Sequence, residues 1–147
     1  MLSCHDVAKY FLSQADEDAG DLISNLKLQK LLYYAQGFHL ALYNEPLFPE
    51  PVEAWIHGPV VPEVYHEYKN FGSSAIPIPE DIDFSIYDEK TVDLLDEVYS
   101  VYGQFSAWKL RNMTHNEEPW KDTDVSDVIT HECLKKYFKT QLLDEDE

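Results

Sequence analysis

Residues 26–43 do most to limit what this chain can fold into. Leu28, Leu31, Leu32, Ala35, Phe38 and Leu42 recur at steps of three and four, which predicts a long helix, whereas Lys27, Gln29, Lys30 and Gln36 fall mostly off that stripe. Tyr33, Tyr34 and Tyr43 cannot all share the leucine face, so the helix has a second apolar side. Burial on two sides within the domain is favoured over a surface reserved for another chain. Gly37 costs about 1 kcal/mol relative to alanine inside a helix, which predicts that another element packs close against that turn. This helix should be the spine of the core. His39 lies one position from the stripe with nothing at ligand spacing, and reads as a residue at the core's edge.

A second constraint is the corner EAWIHGPVVPEVY at 53–65. Trp55 and Ile56 end a β-type run, Gly58-Pro59 breaks it, and Pro62 supplies the fixed φ suited to the first turn of a helix carrying Val64, Tyr65 and Tyr68. Two extended runs, around Leu47-Phe48 and 52–56, flank Pro49-Glu50-Pro51 and read as an antiparallel hairpin that delivers the chain into this corner. Corners of this kind release side chains and backbone groups for binding.

The remaining chain is mostly helical in pattern. Ser3 and Asp6 have capping-box spacing for a helix over 4–15, and an acidic loop at 16–21 stops it. A helix over 62–71 ends at Gly72, and 73–87 is an irregular connection with at most one extended pairing. Asp88 caps a helix over 88–102, and Ser106 caps one with Ala107, Leu110, Met113 and Thr114 facing inward. That helix runs into a second unusual stretch, 114–120, and a Thr130-capped helix with Leu134, Tyr137 and Phe138 follows Val128-Ile129.

Composition narrows function. The chain has 147 residues, 44% apolar, enough for one packed domain over 1–143 with an acidic tail at 144–147. With 28 acidic against 11 basic residues the formal charge is −17, which disfavours nucleic acid and suits a basic protein partner, an acidic mimic of nucleic acid being the third reading. No apolar run approaches a membrane span and the N-terminus lacks a signal-peptide pattern, so the cytoplasm is the expected location. Cys4 and Cys133 have no CxxC or CxxH partner, which argues against a disulfide framework or a cysteine-based zinc site and for structural thiols.

His57 and His115 are the residues most open to a chemical reading. With Glu53, Glu117 or Glu118 they could hold a metal or form a general acid/base pair, but neither lies in a ligand spacing such as HExxH. The favoured alternative is that they hydrogen-bond the corner to the 114–120 stretch, a direct partner contact being the other option. Trp55 and Trp120 could anchor an interface, though partly buried core is favoured for both. No GxSxG elbow, phosphate-binding glycine loop or cofactor motif occurs.

Together, LQKLLYYAQG at 28–37, AWIHGPV at 54–60, the helix start at 62–65, and Thr114-His115 followed by Pro119-Trp120 resemble the Panacea domain, the SocA-like or GepA-like antitoxin domain of bacterial and phage proteins. The resemblance spans nearly the whole chain. It implies a non-enzymatic antitoxin that neutralises a cognate protein toxin, encoded next to it, by direct binding; delivery of the toxin to the ClpXP protease, the adaptor role ascribed to one relative, is a second mode the resemblance implies. It brings no catalytic residues and no cofactor. The motif residues Trp55, His57, Gly58, Pro59, Val60, Thr114, His115, Pro119 and Trp120 are the candidate partner-binding set. The expected fold is mainly α with a small antiparallel β-hairpin (α+β), a compact single-domain helical assembly.

Overall fold

The computed structural model describes residues 1–15 and 22–142; the acidic loop expected at 16–21 and the acidic tail at 144–147 lie outside the described residues. Helix α1 (Cys4–Ser13) starts at Ser3, whose hydroxyl accepts from the Asp6 amide while the Asp6 carboxylate accepts from the Ser3 amide, the reciprocal cap its spacing predicts. Helix α2 (Asn25–Tyr43) is capped by Ser24 and closed by Asn44 in the left-handed region at φ 61°. Strands β1 (Val52–Trp55) and β2 (Gly58–Val60) lead into α3 (Pro62–Tyr68), which tightens into a 3-10 turn at Lys69–Phe71 before Gly72. The irregular run that follows makes one bridge, Ala75 to Ser24. Helices α4 (Glu89–Tyr102), α5 (Ala107–His115) and α6 (Glu118–Lys121), strand β3 (Val128–Ile129) and helix α7 (His131–Leu142) follow, with the side chains of Asp88, Ser106 and Thr130 accepting from the Thr91, Lys109 and Cys133 amides as the caps expected of them. The fold is mainly α with one small antiparallel sheet.

The sheet differs from the expected hairpin. Its order is β2-β1-β3, with Trp55 opposite Gly58 across a two-residue turn made of Ile56 and His57, and Val52 opposite Ile129 on the other side. Gly58-Pro59 therefore opens the return strand instead of ending the sheet. Proline is tolerated there because β2 is an edge strand with one side unpaired. Leu47 and Phe48 form no strand. They are buried apolar plugs, and their backbone is held by the Gln36 side chain, which accepts from the Leu47 amide (2.7 Å) and donates to the Phe48 carbonyl (2.8 Å).

Helix α2 is enclosed by α1, α3, α4, α5, α7 and β2, and α7 makes the most extensive contact with it. Tyr33 and Tyr34 are buried as expected, but so are Lys27, Gln29, Lys30 and Gln36, which the spacing placed on an open polar side. Around these residues the neighbouring elements leave no open polar side, so each polar side chain bonds within the protein; toward its C-terminal end α2 reaches solvent, where Leu42, expected on the core stripe, is 47% exposed. On the α7 side an aromatic layer forms. Tyr34 stacks on Tyr102 with centroids 3.8 Å apart, and Phe138 meets Tyr33, Tyr34 and Phe38 edge-on. Leu134 and Phe138 are fully buried by this docking, worth roughly 1.5–3 kcal/mol each. The hydroxyls of Tyr33 and Tyr34 both donate to Glu117, at 2.8 and 2.9 Å, which ties α2 to the start of α6.

Gly37 faces Phe138 so closely that an added Cβ would overlap the ring, which is the tight approach its place in the helix predicts. Gly37→Ala should therefore destabilise the protein by about 1–3 kcal/mol, the usual cost of overpacking, although alanine is the better helix former by ~1 kcal/mol. Urea denaturation reads the loss, and Phe138→Leu in the same chain should recover part of it.

Burial pushes the Glu117 carboxyl up to about 7, against the two tyrosine hydroxyls that favour its charge. The folded state thus keeps a proton that the unfolded chain releases near its ordinary value of 4.5. This contribution to stability is complete below about 4.5 and is lost as the pH rises through about 7. Denaturation midpoints measured across that interval should show a fall attributable to Glu117, and Glu117→Gln should remove it.

Candidate functional site

The β1–β2 turn and the α5–α6 junction meet in one place, and α2 supports them from behind. Gly58 sits at φ 110°, a conformation that disfavours any Cβ, and a Cβ there would come within 2.8 Å of Thr114 Oγ1 and 2.9 Å of Lys30 Cε. The next carbonyl, that of Pro59, accepts from the fully buried Lys30 Nζ at 2.9 Å. Gln29 Oε1 accepts from the Val61 amide at 2.9 Å, so two successive residues of α2 fix β2 and the entry to α3. Burial pushes the Lys30 amine down to about 7, and the positive charge of Arg111 acts in the same direction.

From the other side the turn is held through its backbone. Trp120 Nε1 donates to the Trp55 carbonyl at 2.7 Å, and His115 Nε2 lies 2.8 Å from the Ile56 carbonyl. The second His115 nitrogen, Nδ1, lies 2.8 Å from the Arg111 carbonyl, so both ring nitrogens face carbonyl oxygens. The His115 ring also meets Trp120 edge-on at 4.0 Å. Arg111 Nε donates to His57 Nδ1 at 3.2 Å, and its guanidinium lies 4.4 Å from the centre of the Trp108 ring. Thr114 Oγ1 donates to the Arg111 carbonyl at 2.8 Å, turning its oxygen toward Gly58.

Every residue of the candidate set thus falls in one neighbourhood, in two groups. Gly58, Pro59, Val60, Thr114 and Pro119 are buried and define the geometry; Trp55, His115 and Trp120 are half-buried, and His57 is exposed. The geometry is that of a clasp. His115 spends both nitrogens on carbonyls, Glu53 accepts from the Trp55 indole at 3.0 Å, and Glu117 is held between two tyrosines, so these groups are committed to structural bonds.

Beside the exposed His57, the clasp presents apolar side chains outward. Ile56 at the tip of the turn is 67% exposed, and Val125, carried beside β1 on the segment whose Ser126 amide donates to the Ala54 carbonyl, is 56% exposed. An open cleft of about 560 Å³ lies here, lined in part by Leu26, Trp55, Ile56, His57, Tyr65 and Val125. Trp55 packs edge-on against Tyr65 at 5.0 Å, which fixes the aromatic part of the lining. Sequence reasoning missed Gln29, Lys30 and Arg111 as holders of the clasp, and Leu26 and Val125 as cleft residues. The one available signal was the Gln29-Lys30 pair set between leucines in the most apolar helix of the chain.

No solved structure matches the chain. Antitoxin SocA of Caulobacter vibrioides (strain NA1000 / CB15N) is similar to it, 35% identical over an alignment of 109 residues, with 67% of this chain and 58% of the relative covered. The chain thus spans little more than half the length of that relative. Residues 28–121, which run from α2 to the end of α6 and include the whole clasp, match the family described as antitoxin SocA-like, Panacea domain. This chain belongs to the SocA-like Panacea antitoxin family.

Proposed function

We propose that this protein neutralises a cognate protein toxin by direct stoichiometric binding, without catalysis, and that the toxin docks on the clasp and its cleft. The observation that carries the surface assignment is the exposed apolar tip, Ile56 beside half-buried Trp55, on a turn whose backbone is bonded from two sides. A rigid apolar knob flanked by an aromatic-lined cleft binds with little ordering cost, which is how a small number of contacts come to dominate an interface. The formal charge of −17 steers association toward a basic toxin surface. No helix among the described residues is long and apolar enough to cross a membrane, and the proposed site of action is the cytoplasm, with the toxin encoded next to this chain.

Growth of cells expressing the neighbouring reading frame, with and without this protein, tests the proposal when followed by recovery of the complex. Rescue with a stable complex is the expected outcome. Ile56→Asp should weaken the complex by about tenfold or more, the effect of about 1.4 kcal/mol or more at an interface hot spot. It should leave the thermal midpoint unchanged. Val101→Asp, on the outer face of α4, should change neither. Rescue with ClpXP-dependent loss of the toxin would replace occlusion by delivery, and rescue without any complex, lost in His57→Ala with His115→Ala in a folded chain, would replace binding by catalysis.

A further inference from the structure

Away from the clasp, the N-terminal turn of α1 meets α3 in a cluster of soft and hard donors. Cys4 Sγ, a His5 ring nitrogen and a Glu63 carboxylate oxygen all lie within 4.8 Å of one another, although the residues come from helices separated by the whole α2–sheet segment. Two further carboxylates attend them. Glu67, one helical turn beyond Glu63 on α3, lies 2.7 Å from His5 Nδ1, and Glu50 accepts from the Cys4 amide at 2.9 Å. The remaining ring nitrogen, Nε2, faces Glu63 Oε2 at 3.2 Å.

We infer that Cys4, His5 and Glu63 form a binding site for a divalent cation of the zinc type. Three arguments converge. A thiolate, an imidazole and a carboxylate are a donor set that zinc accepts and that the oxygen-seeking ions calcium and magnesium do not. Nitrogen and oxygen ligands of one tetrahedral zinc stand about 3.3 Å apart and sulfur and nitrogen about 3.6 Å apart. The His5–Glu63 separation of 3.2 Å already matches, and the Cys4 sulfur stands within 4.8 Å of a donor atom of each. A ligating histidine characteristically gives its second N–H to a carboxylate that fixes ring and tautomer, and Glu67 is placed for that role. Binding releases the Cys4 thiol proton, and any His5 proton with it, to solvent: the metal–sulfur bond replaces the S–H bond and no redox step is involved. Local spacing shows nothing of this, because positions 4 and 5 acquire their partner only when α3 packs on α1.

The test is titration of the reduced, chelator-stripped full chain with zinc against a chromophoric chelator, and with cobalt as a spectroscopic stand-in. The expected result is one zinc per chain, a thiolate-to-cobalt charge-transfer band, and an upward shift of the thermal midpoint with zinc. His5→Ala and Glu63→Gln lie on the solvent side of the cluster and should keep the fold while weakening zinc by more than tenfold; Glu67→Gln should weaken it by about 10–100-fold. Cys4→Ser should abolish the charge-transfer band, and Cys133→Ser should not. No stoichiometric binding by the native chain, or binding that survives His5→Ala and Glu63→Gln, overturns the proposal; a band lost only in Cys133→Ser places the metal elsewhere and overturns it too.

Discussion

A helix enclosed along most of its length must bond its buried polar side chains inside the protein, and much of the arrangement around α2 follows from that requirement. Lys27 reaches the Gly103 carbonyl, Gln29 the Val61 amide, Lys30 the Pro59 carbonyl, and Gln36 both the Leu47 amide and the Phe48 carbonyl. Each such bond adds only about 0.5–1.5 kcal/mol net, while leaving one of these groups buried and unpaired costs about 1–3 kcal/mol. The asymmetry makes the bonds specifiers of structure. A loop that failed to present its backbone group would strand a buried amine or amide, so three connections without regular structure of their own, before β1, after β2 and after α4, are held in register with the central helix.

The same enclosure sets the protonation behaviour of two groups that support the clasp. Burial brings the Glu117 carboxyl up to about 7 and the Lys30 amine down to about 7, so both favour their neutral forms. Their effects on stability have opposite signs in pH. Glu117 contributes most below about 4.5 and loses its contribution as the pH rises through about 7; Lys30 contributes nothing below about 7 and increasingly above it, toward its ordinary value of 10.5. The two together give a minimum near neutrality. Glu117 belongs to the 114–120 stretch and ties it to Tyr33 and Tyr34 of α2, and Lys30 sits behind the turn that this stretch grips, so both halves of the clasp are tied to the core by groups that titrate near neutrality.

Helices were legible wherever a cap and a stripe agreed. Ser3 with Asp6, Asp88, Ser106 and Thr130 all mark starts that their side chains cap, whereas the Ser24 cap of α2 was not anticipated, and Gly37 announced a close neighbour without naming Phe138. The sheet was half legible. The extended run was read at 52–56, one residue past the end of β1, but Gly58-Pro59 signals a break and an edge strand equally well, and only the β2-β1-β3 order decides between them. Leu47-Phe48 misled because apolar pairs beside prolines look like strand ends, whereas their ladder partner is a glutamine side chain eleven residues back. For the candidate site, the corner and the 114–120 stretch stood out by composition, but the polar residues that join them did not. Lys30 on a periodicity plot is a solvated lysine, and its burial is a tertiary fact that no local pattern encodes.

The direction of the clasp bonds bears on what the surface can do. Trp120 and His115 grip the carbonyls of Trp55 and Ile56, and Lys30 grips that of Pro59, so the turn is positioned by groups that every residue type possesses. The Ile56 side chain takes no part in holding the turn and projects into solvent. Scaffold and exposed tip are therefore separable: the side chain at 56 can change while the turn stays in place, whereas changes at Gly58, Thr114 or Lys30 move the turn itself. A domain built this way can keep one frame and vary the side chain at its tip. Under the proposed binding role, that division places specificity on the positions least coupled to folding.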